Sequence, residues 1–131
     1  MNAPSIDIKD MLEATSSLGL TFAENLFIGL EPAKPDTCVT IFDGYGYAPD
    51  ILLSGKTDYE RPSVQLRVCN KNYKTGLTLA QEIKAALHGV ENETWNGTLY
   101  TVIYCSSGPA LLDRDENGRF RFIINFNLQR R

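Results

Sequence analysis

Residues 111–122 read LLDRDENGRFRF, and within them Asp113, Asp115, Asn117 and Gly118 keep the D-x-D-x-N-G rhythm that opens a calcium-binding EF-hand loop. The chemistry on offer is oxygen ligation of a hard cation. Such a loop also requires a bidentate Glu at its twelfth position, where this chain has Ile124, and a helix on either side. Residues 120–128 instead alternate as a strand does. Both requirements fail. The stretch reads better as part of a loop joining Cys105 to Arg119, with Asn117 and Gly118 supplying positive-φ positions in its turn. A partial cation site at Asp113 and Asp115 is the competing reading.

Other reactive side chains form no catalytic set. The single histidine, His88, falls at the end of an expected helix, where a positive charge complements the dipole. No cysteine spacing places a thiol beside it, and one His with scattered cysteines falls short of a zinc ligand set. Cys38, Cys69 and Cys105 each lie in an apolar, strand-like run and read as small buried hydrophobes. The glycines of DGYGYAPD, residues 43–50, precede no helical pattern and so make no phosphate cradle. Carboxylates are plentiful, but a sequence does not pair them. The residues favour a protein without catalysis, cofactor or metal.

The elements that hold these residues are expected in the order helix, strands, helix, strands. Ser5 caps a first helix whose apolar side is Ile8, Met11, Leu12 and Leu18, with Asp7 and Asp10 at its positive end and Gly19 as its stop. A strand over 20–28 follows, then a Pro-broken turn and a second strand over TCVTIF. Val64, Leu66 and Val68 mark one face of a third strand. Leu79, Ala80, Ile83, Ala86, Leu87 and Val90 form one stripe of a helix over about 73–88, closed by Gly89. Asn96 and Gly97 signal a two-residue hairpin leading into a central strand, Thr98 to Cys105. In the last strand Phe120, Phe122, Ile124, Phe126 and Leu128 alternate with Arg119, Arg121, Asn125 and Asn127. This is an α+β domain: a largely antiparallel sheet carrying two helices, with one parallel crossover around the second helix as an option.

One stretch resists assignment. Residues 43–62, DGYGYAPDILLSGKTDYERP, keep no period, yet carry Tyr45, Tyr47, Ile51, Leu52, Leu53 and Tyr59. Long connections in compact domains are usually functional, and aromatics dominate interface energetics. Tyr45, Tyr47, Ile51, Leu52 and Tyr59 are therefore expected as anchors for a partner chain; the alternative is a loop folded back over its own sheet or an irregular edge strand. Arg130 and Arg131 are a second candidate contact, for an acidic neighbour or for DNA, with a frayed, solvated tail as the plainer reading.

With 131 residues, 43% hydrophobic and 22% charged, the chain fits one domain, residues 1–131, able to bury a core unaided. A net charge of −3 argues against a non-specific duplex-DNA binder. No run approaches the ~20 apolar residues of a membrane span. The start, MNAPSIDIKD, has no basic-then-apolar leader, so folding in a cytoplasm is expected.

Three stretches, in order, carry a family resemblance. PDTCVTIFDGYGYAPD is similar to a strand entering a Gly-rich loop in small tail-assembly proteins of long-tailed bacteriophages. RPSVQLRVCNKNYKTGLTLAQEIKAALHG resembles their central strand, Tyr-bearing turn and helix ending in Leu-His-Gly. GPALLDRDENGRFRFIINFNLQRR is similar to their final segment, in which Pro, Asp and Gly-Arg precede an aromatic strand. The resemblance is to the phage minor capsid or tail terminator family and spans about residues 35–131. It implies a structural virion protein: a homohexameric ring that caps the tail tube, meets the tube protein on one side and the head-neck connector on the other, and lets genomic DNA pass without reading it. It further implies a place in the tail or neck, assembly in the host cytoplasm and no membrane. A head-closure or tail-completion protein is the near alternative, and a small ligand-binding α+β domain the distant one.

Overall fold

The computed structural model describes residues 1–51 and 57–131, and its fold is the expected α+β class. Helix α1 (Pro4–Ala14) begins with proline inside its first turn, where a missing N–H costs nothing. Ser5 is not its cap: the cap position is Ala3, and the Ser5 hydroxyl is turned to Asp43 instead. The helix ends earlier than its apolar pattern suggests. A short 3-10 turn (Ser16–Leu18) carries Leu18 into the core before Gly19 closes it at φ 65°.

Strand β1 is only Leu26–Ile28, because the chain turns at Ala23 with φ 69° and spends residues 20–25 on a loop held by Asn25. Strands β2 (Cys38–Asp43), β3 (Tyr47–Ile51), β4 (Thr57–Arg61) and β5 (Ser63–Asn70) follow. Helix α2 (Tyr73–Leu87) starts on Asn72, whose side chain accepts the Thr75 N–H. Gly89, at φ 90°, turns the chain out of it. The rest is β6 (Val90–Trp95), β7 (Thr98–Arg114) and β8 (Phe120–Arg130). Asn96 and Gly97 both take positive φ and make the tight β6–β7 turn, as their types demand.

The sheet runs β1, β2, β5, β8, β7, β6, with β4 also reaching β8 and β3 attached to β4. Among the described residues its strand pairs are antiparallel except β1 with β2, so the parallel pair is not the crossover around α2 that the sequence left as an option. Alternation decides the faces. On β5, Leu66 lies between Ile41 and Ile124, and Val68 between Val39 and Phe122. These residues, fully buried, face α1 through Ile8 and Leu12 and α2 through Ala80, Ile83 and Leu87. Each side chain so enclosed contributes about 1.5–3 kcal/mol.

The second half of β7 corrects the expected Cys105–Arg119 loop. β7 stays paired with β8 as far as Arg114 opposite Phe120, through register shifts between Cys105 and Asp113. Those bulges absorb the Gly108–Pro109 step and erase the alternation that would announce a strand. Only residues 115–119 form the turn.

Candidate subunit interface

The described residues of the 43–62 stretch are not an unstructured loop: β3 and β4 pair antiparallel and stand out as an arm. Among the described residues β3 bonds to β4 alone, with register shifts around Asp50, and β4 meets the main sheet where Glu60 stands opposite Arg130. No period shows in the sequence because the pairing is irregular and Pro49 sits in the outer strand, which an edge position permits.

The arm is fastened at both roots. On the entering side Asp43 accepts the Ser5 N–H at 2.9 Å and the Ser5 hydroxyl at 2.7 Å, tying β2 to the start of α1. The Gly46 N–H bonds the Ser63 hydroxyl at 3.0 Å, and the Gly44 N–H the Ser63 carbonyl at 2.8 Å. Two glycines let these strands cross. A Cβ on Gly46, at φ 66°, would stand 2.4 Å from the Arg61 carbonyl oxygen, and one on Gly44 2.3 Å from the Ser63 hydroxyl. On the returning side Arg130 Nε bonds Glu60 at 3.0 Å.

Tyr45 and Tyr47 emerge from this root exposed, at 106% and 66% relative exposure. With Pro4, Pro49, Pro62 and Arg61 they border a cleft of about 250 Å³. Tyr59 is committed inward: its hydroxyl bonds Thr101 and, at 2.9 Å, the Gln129 side chain, while the Arg61 guanidinium lies 5.6 Å from its ring. Ile51 ends β3, and Leu52 and Leu53 lie outside the described residues.

Arg130 is not a free tail residue. It is buried at 6% exposure, donates to the Asn2 carbonyl at 2.8 Å and the Tyr100 hydroxyl at 3.2 Å, and lies 3.9 Å from the buried Asp7 carboxylate. Its acidic neighbours belong to its own chain. Arg131 is exposed, but its backbone exchanges two 3.0 Å bonds with Leu99, so the terminus is paired and not frayed.

Far down the strand axis from the arm lies the turn that resembles a calcium loop. Here Asp113 pairs with Arg121, and Asp115 accepts the Asn117 and Arg119 N–H groups at 3.0 and 2.8 Å and Arg119 Nε at 2.7 Å. Burial alone would push the Asp115 carboxyl up, but the Arg119 bonds and charge hold it below the usual carboxylate range. The hydrogen bond from Arg121 does the same for Asp113. Both carboxylates are occupied by arginines. Beside them Leu111 and Leu112 on β7 are exposed, a second apolar patch that the sequence reading did not single out. His88 caps the end of α2 as expected, and its Nδ1 also accepts the Cys105 N–H at 2.9 Å, closing α2 against β7.

A model of the bacteriophage tail terminator protein family matches residues 7–131. The chain belongs to that family. It is a structural, tail-related phage protein of a group not known as enzymes. In fold it is similar to a chain of the virion of a native gene transfer agent particle, at 17% identity and TM-score 0.67, over 98% of this chain and 94% of that one. A second solved chain, 13% identical over 96% of this chain and 90% of its own, has a TM-score of 0.47, too low to argue from. No protein of curated function matches the sequence. Among the described residues, no helix is long and apolar enough to cross a membrane.

Proposed function

We propose that this chain, as one domain, closes into a ring of six copies that caps the tail tube and joins it to the head-neck connector, with genomic DNA passing through unread. Its place would be the tail or neck of the virion, after assembly in the host cytoplasm. The observation that carries this reading is the arm: two paired strands fixed at both roots, with Tyr45 and Tyr47 exposed at their base. A head-to-tail ring needs two different patches on each copy, and the exposed Leu111 and Leu112 at the other end of the sheet supply a second one. Rigid aromatic anchors on a pinned base lose little freedom on docking, which favours affinity. A stable contact would bury about 1,200–2,000 Å² in total.

Native mass spectrometry with light scattering, on the wild type and on a Tyr45→Ser/Tyr47→Ser double variant, tests it. The wild type is expected to form hexamers that grow with concentration, or to add density at tail ends in negative-stain images. The double variant should remain a folded monomer and leave tail ends bare. A wild type that neither assembles nor binds tails would overturn the reading.

A further inference from the structure

Cys38 and Cys69 stand directly opposite each other on β2 and β5, on the sheet face turned away from the helices. Both are fully buried and both are free thiols. Opposed residues of an antiparallel pair have Cα atoms about 4.5–5.5 Å apart, within the ~4.4–6.8 Å that a disulfide spans.

Their surroundings are polar, unlike those of cysteines that only fill space. Glu31 Oε1 accepts from Cys69 Sγ at 3.2 Å, and Arg119 Nη1 donates to Cys38 Sγ at 3.5 Å while also bonding the Pro35 carbonyl at 3.1 Å. The two sulfurs are thereby made unequal. The Cys69 thiol beside it, then the Arg119 charge, hold the Cys38 thiol below its ordinary range despite burial. The neighbouring Cys38, burial and Glu31 push the Cys69 thiol well up. Glu31 and Arg119 also line a polar cavity of about 430 Å³, together with Asp113, Asp115 and Arg121. A small polar oxidant therefore has a route to the residues that hold the thiols. Cys105 has no such company: its sulfur faces the Ser107 and Gly108 carbonyls.

We propose that Cys38 and Cys69 are a peroxide-sensitive dithiol that closes into a cross-strand disulfide joining β2 to β5. Cys38, polarised by Arg119, attacks one oxygen of a hydroperoxide. The O–O bond breaks, the thiol proton leaves with the departing oxygen as water or alcohol, and Cys38 becomes a sulfenic acid. Cys69 then attacks the Cys38 sulfur as Glu31 takes its proton; the S–O bond breaks and water carries that proton away. Two thiols lose two electrons, and the peroxide gains them.

The test uses the full folded chain carrying Cys105→Ser, reduced, treated with hydrogen peroxide and digested without reductant. Mass spectrometry is expected to find Cys38 and Cys69 peptides joined, lighter than the two reduced peptides by two hydrogens. In a Cys69→Ser chain the reaction should stop at a sulfenic acid on Cys38, captured by dimedone. Glu31→Gln, with an unchanged circular dichroism spectrum, should slow the joining roughly tenfold or more. Recovery of both cysteines as free thiols, when the same peroxide joins them readily in the urea-unfolded chain, overturns the proposal. So does oxidation at either site without joining.

Discussion

Among the described residues Arg119 is the largest fully buried side chain, and the loss of its partner would be felt strongly. Asp115 is the carboxylate that pairs with it among the described residues, so Asp115→Ala strands a guanidinium inside the protein. The expected cost is about 3 kcal/mol, read as a lowered urea midpoint. Acid should act on the same group. Asp10, held down by bonds from Lys9 and Asn96, together with Asp113 and Asp115, titrates below the unfolded value near ~3.9. A depressed carboxyl stabilises the fold fully above its unfolded value and loses that contribution as pH falls through the folded one. Melting temperature should therefore hold above about pH 5 and drop below about pH 4. Asp115→Ala should shallow that drop, and an equally steep fall in the variant would show that Asp115 is not its source. The turn at residues 115–119 was legible, because Asn117 and Gly118 have few other uses, although the loop expected to lead into it from Cys105 is strand. The arginine partners of Asp113 and Asp115 were not, since Arg121 lies across a strand pair from Asp113 and register is a long-range property.

Among the elements, legibility followed regularity. β5, β8 and α2 bury one clean stripe each and could be read directly from spacing. The outer half of β7 and the arm could not, because bulges shift the phase of alternation and the arm packs mainly on itself. β1 was overread: Leu20 is buried like a strand residue, but from a loop. Gly76 marks the tightest fit of helix to sheet. A Cβ there would stand 2.8 Å from the Phe122 ring and 3.0 Å from the Asn70 Cβ. Gly76→Ala gains about 1 kcal/mol of helix propensity, yet forcing a methyl into a packed core costs about 1–3 kcal/mol. The net expectation is destabilisation, visible as a lower urea midpoint with an unchanged slope. A stabilised variant would mean that α2 can move outward at little cost.

At the scale of the whole molecule, the two chain ends are gathered at one place. Helix α1 is tied to β2 by Ser5 and Asp43, and to the terminal strand by Arg130 on the Asn2 carbonyl. The β6–β7 turn holds it from the other side, where the Asn96 amide donates to Asp7 at 2.7 Å and Asp10 at 2.8 Å. The sequence announced the turn and the helix but not that one clasps the other. This clasp ages. An Asn-Gly step is where asparagine most readily cyclises and sheds ammonia, and the ring reopens to isoaspartate and aspartate, each a carboxylate in place of the amide. At residue 96 that exchange turns a double donor into an acceptor facing two carboxylates, one of them buried. Stored protein should accumulate these species, and Asn96→Asp should reproduce their charge: a looser N-terminal helix, cut sooner by protease ahead of any loss of the sheet. The Asn-Gly turn that brings β7 back along β6 is thus also the protein's clock.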